Sequence, residues 1–470
     1  MRCPMRALFL LLLLAAFVHA EPVIYIIGDS TVKNGTKGLK GWGEFLEEHC
    51  DAAKCRVENR ALGGRSSRSF LREGLWEKVR SQLKPGDAVI MQFGHNDGGP
   101  LDREKARASL KGSGAETQEV TVAETGAKET VLTYGGYLRR YISEAKAAGA
   151  AAVVCSPIPR NIWKDGKVTR ATADYAKWAQ EAASAGGAQF IPLNDLVAAR
   201  YDGMGETKVK GFFPGDHTHT NEDGARLNAR LVADALRGIP GLAALMKPQK
   251  LVALTFDDAC LSHRTVVAPR LRDLGFGATF FVCEYPGMFG NAEQAMTWTQ
   301  IRELSDMGFE IGNHTLTHKH APKENAEAYE AELTGLDERC AKAGIPRPVS
   351  FAWPAYESSE AALAVVKAHG ITAARAGGGR RFDPAVDNAL LIPSVSTSGS
   401  DEKAKARVLL AIASCDEGHP LVLTFHGVPD LAHPGVSTPP ELFEVYLQAL
   451  QESGAAVLSL RDLMKRVSRR

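Results

Sequence analysis

The chain has 470 residues, of which 44% are hydrophobic and 24% charged, with 56 Lys and Arg against 55 Asp and Glu. This nearly neutral, globular composition excludes a disordered chain, a collagen-like fibre and a polybasic nucleic-acid binder. At about 100–200 residues per domain, the length predicts two or three domains, each with its own hydrophobic core.

The first 20 residues have the pattern of a secretory signal peptide. Arg2 and Arg6 precede an unbroken apolar run over residues 7–18, and Val18 and Ala20 match a signal peptidase site. The run is too short to span a bilayer as a stable helix. We therefore expect residues 1–20 to be removed, leaving a secreted or periplasmic protein without a membrane segment.

Predicted strands and helices alternate through the first half of the chain. Apolar, β-rich runs predict strands at residues 23–27, 88–93, 150–155 and 188–193. The stretches between them predict helices, for example at residues 137–148 and 172–184. This alternation is typical of a parallel sheet covered on both faces. The polar segment 97–133 interrupts the alternation, and we interpret it as an inserted surface loop near the carboxyl edge of the sheet.

A second series of strands and helices begins after Lys247-Pro248-Gln249-Lys250. Its clearest predicted strands are residues 251–256, 278–282 and 421–425. We therefore place a domain boundary near residue 247, which gives domains over residues 21–246 and 247–470.

Seven cysteines follow the predicted signal peptide. An odd number leaves at least one of them outside any intramolecular disulfide. Cys50 and Cys55 are close enough in sequence for a local disulfide, but the sequence leaves open whether it forms.

The first half contains the residue types of a serine nucleophile system. Ser30 follows the first predicted strand, the position at which open α/β sheets present groups to a ligand, although a serine there also serves as a helix cap. Asp216 and His219 are spaced so that one turn of chain holds the imidazole against its carboxylate. His217, between them, is interpreted as structural.

Gly64 and Asn96 are the candidates for an oxyanion hole. Gly64 lies in a predicted turn where a backbone N–H is able to approach a substrate closely, and Asn96 follows a strand with a side-chain N–H. Taken singly, each residue also fits an ordinary turn.

In this order, four blocks resemble those of the SGNH hydrolases: Gly28-Asp29-Ser30, the Gly64 turn, Gly94-His95-Asn96-Asp97 and Asp216-x-x-His219. Longer stretches, such as residues 60–69 and 156–161, resemble the rhamnogalacturonan acetylesterase branch. The resemblance implies a three-layer α/β/α, flavodoxin-like domain without a cofactor. It also implies that Ser30 is the nucleophile, His219 the base and Asp216 its orienting carboxylate. By the same resemblance, the oxyanion hole consists of the Ser30 and Gly64 amides and Asn96.

The second half contains the ligand types of a metal site. Asp257 and Asp258 end one predicted strand, and His314 and His318 are spaced to share one face of a helix. Two imidazoles and one carboxylate leave coordination positions for water and substrate, which is typical of catalytic zinc, although Co²⁺, Ni²⁺ or Mn²⁺ accept similar ligands. Without the paired aspartates, the two histidines would also fit a solvated helix face.

Phe256-Asp257-Asp258 and His314-Thr315-x-x-His318 together resemble the NodB-type polysaccharide deacetylases over about residues 250–462. The resemblance implies a distorted (β/α) barrel. It implies that Asp258, His314 and His318 bind the metal, that Asp257 is the general base and that His426 is the general acid.

Two departures from that family stand out. The arginine that holds the catalytic aspartate in many members is absent from the segment 351–356, and Arg375 on the next predicted strand is a candidate replacement. Ala259 and Cys260 also replace the usual glycine after the paired aspartates, which puts a thiol near the expected metal.

Together these features predict a secreted, bifunctional carbohydrate esterase that deacetylates polysaccharides. The first domain would cleave O-acetyl esters of rhamnogalacturonan, pectin or xylan, and the second would use a metal. Two alternatives remain for the second domain: an N-deacetylase of chitin-like or peptidoglycan sugars, and a glycan-binding module without catalysis. The expected partner is an acetylated polysaccharide, not a nucleic acid, and the sequence leaves the oligomeric state open.

Overall fold

The computed structural model of the protein describes residues 21–323 and 327–468. These residues divide into two compact units, the first with residues 21–157, 171–193 and 220–233, and the second with residues 158–170, 194–219, 234–323 and 327–468. The predicted signal peptide lies outside the described residues, and the domain boundary near residue 247 stays a prediction. Within the described part of the chain, no helix has the length and apolar character needed to cross a membrane.

The strands up to residue 246 are, in chain order, β1 (Val23–Gly28), β2 (Arg56–Asn59), β3 (Ala88–Gln92), β4 (Thr117–Thr121), β5 (Lys128–Leu132), β6 (Ala151–Cys155), β7 (Trp163–Lys164), β8 (Lys167–Val168) and β9 (Gln189–Ile191). The α-helices of the same stretch are α1 (Ser67–Arg72), α2 (Leu75–Arg80), α3 (Tyr134–Ala147), α4 (Tyr175–Gly186), α5 (Leu193–Met204), α6 (Glu206–Lys210) and α7 (Glu222–Leu236).

A parallel sheet in the order β2-β1-β3-β6-β9 forms the centre of the first unit. Its β1 and β3 strands consist of buried residues throughout, since apolar side chains on both faces pack against covering elements. β1 lies between β2 and β3, and the register pairs Ile26 with Ile90. The predicted parallel sheet is therefore confirmed.

The segment 97–133 is not a plain surface loop, contrary to the sequence-based expectation. It contains the antiparallel hairpin β4–β5, with Val120 paired to Glu129. The hairpin forms because Val120 and Val131 pack together with Tyr137 of α3 in a small hydrophobic cluster of their own. β4 has a single apolar residue, Val120, so the sequence shows no period-two alternation that would have indicated this hairpin.

The later strands are β10 (Leu251–Phe256), β11 (Thr279–Val282), β12 (Glu310–Asn313), β13 (Ser350–Ala352), β14 (Ala373–Gly378), β15 (Ile392–Ser396), β16 (Leu421–Phe425) and β17 (Ala456–Leu458). The later α-helices are α8 (Ala268–Leu274), α9 (Trp298–Asp306), α10 (Glu327–Lys342), α11 (Glu360–Ala368), α12 (Glu402–Ser414), α13 (Pro440–Glu452) and α14 (Leu460–Val467).

The strands from β10 to β16 close into a parallel barrel in the second unit. Neighbouring strands pair in sequence order from β11 to β16, β16 pairs with β10, and β10 pairs with β11 through Thr255 and Phe256. The barrel is distorted because β17 pairs with the first half of β10, at Leu251 to Ala253. The expected (β/α) barrel is confirmed.

All seven cysteines of the described residues are buried, reduced thiols. Cys50 and Cys55 form no disulfide, and a hydrogen bond from Cys50 lowers the pKa of the Cys55 thiol. Burial of apolar side chains, rather than cross-linking, therefore stabilises both units.

A buried carboxylate ties the last helix to the barrel. Glu310, at the start of β12, accepts hydrogen bonds from the hydroxyls of Thr279 and Ser350, each at 2.7 Å. It also accepts one from the backbone N–H of Arg461 in the first turn of α14, at 2.9 Å. These three donors lose a buried acceptor if Glu310 is removed.

We predict that Glu310→Ala lowers the free energy of unfolding of the second unit by about 3 kcal/mol, because several buried donors become unsatisfied. Urea unfolding of the full chain, followed by hydrogen exchange in residues 456–467, measures this. Glu402→Ala is the control, since that side chain is 90% exposed. Equal effects of the two substitutions would contradict the structural role of Glu310.

Candidate active sites

Ser30 lies in a tight turn directly after β1, as predicted. The Asp29 side chain fixes this turn by accepting hydrogen bonds from the backbone N–H and the hydroxyl of Thr31, at 2.8 and 2.7 Å. Gln92, at the end of β3, donates to the Thr31 hydroxyl at 2.6 Å and accepts from the indole of Trp42 at 2.8 Å. Buried hydrogen bonds therefore hold the half-buried Ser30 at the carboxyl edge of the sheet.

The Gly63–Gly64 turn lies against Ser30. The backbone N–H of Leu62 donates to the Gly28 carbonyl at 3.1 Å. A Cβ atom added to Gly63 would be 3.6 Å from the Cβ of Ser30. Gly64 has a φ of +77°, a conformation that favours glycine. The structure therefore brings the predicted oxyanion-hole turn next to the predicted nucleophile.

Asn96 is held beside the same turn. Its side-chain amide donates to the carbonyl of Arg65, the residue after Gly64, at 3.0 Å. The neighbouring Asp97 is buried and accepts hydrogen bonds from Ser67 at the start of α1 and from the Ser109 hydroxyl at 3.2 Å. Burial raises the pKa of Asp97 to about 7, although the hydrogen bonds from Ser67 oppose that shift.

The Asp216–His219 pair lies in the second unit and has the predicted geometry. The His219 Nδ1 atom is 2.7 Å from Asp216 Oδ2, and the backbone N–H groups of Thr218 and His219 donate to Asp216 Oδ1. Burial raises the pKa of Asp216, but these hydrogen bonds outweigh it and lower that pKa to about 2. An ionised Asp216 therefore holds His219 with Nδ1–H facing it. The His217 carbonyl accepts from the Asn161 N–H at 2.7 Å.

Asp258, His314 and His318 form a cluster at the carboxyl edge of the barrel. One ligand atom from each lies within 4.8 Å of the other two. Asp258 Oδ1 is 3.5 Å from His314 Nε2 and 3.6 Å from His318 Nε2. One carboxylate and two imidazoles converging on a common point are a possible divalent-metal site.

The two histidines are not on a helix, contrary to the sequence-based expectation. They lie in the loop after β12, in which Thr315 and His318 have φ values of +59° and +56°. Asn313 accepts a hydrogen bond from the Thr315 N–H at 2.9 Å, and the Thr315 hydroxyl accepts one from the Lys319 N–H at 2.7 Å. These side-chain caps replace helical hydrogen bonds, so a loop brings the imidazoles together.

The protonation states of Asp258 and His318 suit ligation, whereas burial is outweighed at His314, where the Asp258 carboxylate raises the pKa. His314 Nδ1 is 2.8 Å from the Ala352 carbonyl and donates to it, which leaves Nε2 to face Asp258. Burial raises the pKa of Asp258, but the neighbouring His314, His426 and His318 outweigh burial and lower it well below its usual range. Burial lowers the pKa of His318 to about 4. At neutral pH, Asp258 is therefore ionised and His318 neutral.

The backbone at the cluster is strained. Asp258 and Ala259 have φ values of +70° and +53°, and each residue in this region costs about 1–3 kcal/mol. Ala259 replaces a glycine of the resembled family in the conformation for which glycine is suited. The rest of the barrel stabilises this turn, which points the Asp258 carboxylate towards His314 and His318.

Arg375 supplies the guanidinium that is missing from β13. Its Nη2 atom is 2.6 Å from Asp257 Oδ2, and both side chains are buried. The register of β13 and β14 places Arg375 directly beside Ala352. The arginine therefore occupies the neighbouring strand but reaches the same carboxylate.

His426 follows β16 and joins the cluster from another side. Its Nε2 atom is 3.8 Å from Asp258 Oδ2, the oxygen that does not face His314 and His318.

Two residues near Asp258 escaped the sequence analysis. Cys283, at the end of β11, lies with its thiol 3.8 Å from Asp258 Oδ1, and Tyr285 packs its ring against that of His318. Their position just after a barrel strand is the signal that would have indicated them.

Two protein families match separate parts of the chain. Residues 26–227 match the family described as GDSL-like Lipase/Acylhydrolase, and residues 245–374 match the family described as Polysaccharide deacetylase. The first range contains all five residues predicted for the serine site. The second range contains the Asp257 to His318 cluster, whereas Arg375 and His426 lie beyond it.

Curated relatives match the first half of the chain. A rhamnogalacturonan acetylesterase of Emericella nidulans is 33% identical over 238 residues, covering 51% of this chain and 92% of the relative. A probable rhamnogalacturonan acetylesterase of Bacillus subtilis is 30% identical over 233 residues, covering 48% of this chain and 97% of the relative.

Two solved structures each match about half of the chain. The YxiM protein of Bacillus subtilis is 26% identical with a TM-score of 0.39, and the match covers 47% of this chain and 58% of that one. A family 4 acetyl xylan esterase from Clostridium thermocellum, solved with a cobalt ion, is 23% identical with a TM-score of 0.33. That match covers 47% of this chain and 97% of that one.

The buried Asp97 predicts a pH-dependent stability of the first unit. Its pKa is about 7 in the folded chain and about 3.9 in an unfolded one, so the folded state binds the proton more tightly. The contribution of Asp97 to the free energy of unfolding is therefore complete below about pH 4. It decreases by about 1.4 kcal/mol per pH unit between about pH 4 and pH 7. Denaturant unfolding at pH 5 and 8 should show that Asp97→Asn reduces this decrease.

Asp102→Asn is the matched control, because its carboxylate is 48% exposed in the same unit. If the stability difference between the wild type and Asp97→Asn is the same at both pH values, the Asp97 carboxyl is not protonated in the folded protein below pH 7.

Proposed function

The chain belongs to the rhamnogalacturonan acetylesterase family through its first half and carries a polysaccharide deacetylase domain in its second, and we propose that both halves deacetylate polysaccharides. The chain is thus a hydrolase with two domains of carbohydrate-esterase type. The observation that supports the proposal is that Ser30 lies against the Gly63–Gly64 turn in the first half, while Asp258 lies near His314, His318 and His426 in the second.

In the first half, we propose acyl transfer through Ser30. His219, held by Asp216 at 2.7 Å, would take the proton of the serine hydroxyl and return it to the sugar oxygen. The amides of Ser30 and Gly64, with the side chain of Asn96, would donate hydrogen bonds to the oxyanion. Losing one such donor typically reduces turnover by about 10²–10³-fold.

In the second half, we propose that Asp258, His314 and His318 hold a divalent metal, zinc first, with Co²⁺, Ni²⁺ or Mn²⁺ as alternatives. The donor set fits such an ion, because one carboxylate oxygen and two imidazole nitrogens face each other within 4.8 Å. When bound, the ion polarises the acetyl carbonyl and lowers the pKa of water.

Asp257 and His426 are the proposed acid–base pair of the second half. Asp257 would take the proton of the attacking water while Arg375 holds its carboxylate, and His426 would protonate the leaving group. The paired Asp257 and Arg375 favour catalysis over a module that only binds glycan, since a binding module needs no buried, oriented carboxylate.

Plant cell-wall polysaccharides, acetylated pectin or xylan, are the proposed substrates, and the chain would reach them by secretion. The support is the signal-peptide pattern of residues 1–20 together with two deacetylating domains on one chain. Serine chemistry and metal chemistry in one protein would remove acetyl groups from the same material.

We predict that Ser30→Ala removes the chelator-resistant release of acetate from acetylated pectin and xylan, and leaves a chelator-sensitive release. Loss of the nucleophile eliminates only the serine mechanism, and the expected decrease is at least about 10³-fold. Acetate is measured for the secreted chain with and without a strong chelator. Asp258→Asn is the reciprocal variant and should lose bound metal and the chelator-sensitive part.

Chelator-resistant activity that survives in Ser30→Ala would contradict the serine assignment. If Ser30→Ala releases no acetate from either polymer, the second half does not cleave these esters. Acetate release from N-acetylated chito-oligosaccharides would then identify an N-deacetylase, and its absence a binding module.

A second prediction concerns Arg375. Arg375→Ala should reduce the chelator-sensitive activity by about 10²-fold without removing the metal, because Asp257 loses the group that orients it. Metal content and thermal unfolding are measured alongside. Arg375→Lys keeps the charge and should recover part of the rate, and Arg270→Ala is the control, since that arginine pairs with Glu444 at the surface. Full activity in Arg375→Ala would exclude the positioning role.

A further inference from the structure

Two aromatic rings stand beside the metal-ligand cluster and have no part in the chemistry proposed above. The ring of Tyr285, in the loop after β11, is 4.6 Å from the ring of His318 between centroids, with the planes at 39°. The ring of His433, in the loop after β16, is 4.7 Å from that of Tyr285, with the planes at 53°. We call Tyr285 and His433 the aromatic face.

The aromatic face is fixed in place by its supports. Tyr285 packs on a cluster of buried Cys260, Met288 and Ala295, together with Phe289 and Ala432. A rigid ring loses little conformational entropy when it contacts a ligand.

Asp430 organises the other loop. This buried carboxylate accepts hydrogen bonds from the backbone N–H groups of Ala432 and His433, at 3.0 and 2.8 Å. Its own N–H donates to the Ser437 hydroxyl at 2.9 Å. His433 Nδ1 is 3.7 Å from Asp430 Oδ2, so the imidazole is held on the side of Tyr285.

The aromatic face reaches solvent next to a metal ligand. The His433 side chain is 33% exposed, Tyr285 is half-buried, and the adjacent ligand His318 is 14% exposed. Leu431, in the same loop as His433, is 66% exposed. If the rings served only to support His318, full burial of their apolar surface would stabilise the fold most. Exposed ring surface at a catalytic centre instead indicates a ligand that covers it.

We propose that the aromatic face is a subsite that receives a pyranose ring of the acetylated polysaccharide and sets which sugar presents its acetyl group to Asp257. The apolar C–H surface of a pyranose suits the face of an aromatic ring, and its hydroxyls remain in water. This inference rests on the proposed deacetylase function of the second half, which it deepens by assigning substrate recognition to two residues outside the metal and acid–base set.

The test uses the full chain in a Ser30→Ala background, so that only the second half contributes activity. The variants are Tyr285→Ala, Tyr285→Phe and His433→Ala, with Leu410→Ala as control, because Leu410 is an apolar side chain of α12 with 70% exposure. Acetate release is measured from acetylated xylo-oligosaccharides and from triacetin, a small ester without a ring. Binding of deacetylated xylohexaose is measured by calorimetry, and metal content is measured for each variant.

We expect Tyr285→Ala to raise KM for the oligosaccharide and the Kd of xylohexaose by about tenfold, the value of one good ring contact. The loss on triacetin should be smaller, and His433→Ala should give a smaller effect in the same direction. Tyr285→Phe should recover the oligosaccharide KM, because it keeps the ring.

Equal losses on both substrates together with loss of metal would overturn the proposal, because Tyr285 would then only support His318. Unchanged oligosaccharide KM and xylohexaose Kd in Tyr285→Ala would overturn it as well. If the Ser30→Ala background has no chelator-sensitive activity on these esters, the proposed O-deacetylation by the second half fails, and the xylohexaose Kd of the same variants alone decides whether the aromatic face binds sugar.

Discussion

Accommodating two adjacent, buried carboxylates at the barrel edge is the constraint on which the second unit's site depends. Asp257 and Asp258 are consecutive and buried, and an ionised carboxylate out of water is costly without a partner. Arg375 pairs with Asp257, while His314, His318 and His426 surround Asp258. Residues on or directly after β12, β14 and β16 therefore supply the partners of the two carboxylates that follow β10.

Strand ends could be predicted from the sequence because buried parallel strands are continuous apolar runs. Residues 251–256 and 421–425 agree with β10 and β16, and Ser30, Asp258 and His426 follow such strands. The Asp216–His219 pair could also be predicted, since its geometry depends on one local turn. Interactions within a few residues need no tertiary information.

Other parts of the structure depend on packing that the local sequence does not contain. The i, i+4 spacing of His314 and His318 indicates a helix, but Asn313 and Thr315 cap a loop instead. Arg375 was only a candidate until the register of β13 and β14 placed it beside Ala352. The hairpin β4–β5 and the rings of Tyr285 and His433 likewise depend on neighbours from distant segments.

The hydrogen bond between Glu310 and the Arg461 N–H has a consequence for the order of events during folding. It joins residues 151 positions apart, and β17 pairs with β10 across 205 positions, with Ala456 opposite Leu251. Closing a long loop costs conformational entropy before the contact between its ends stabilises the fold. Folds rich in such long-range contacts therefore form slowly. The barrel therefore acquires its final hydrogen bonds only after residues 456–461 have been synthesised.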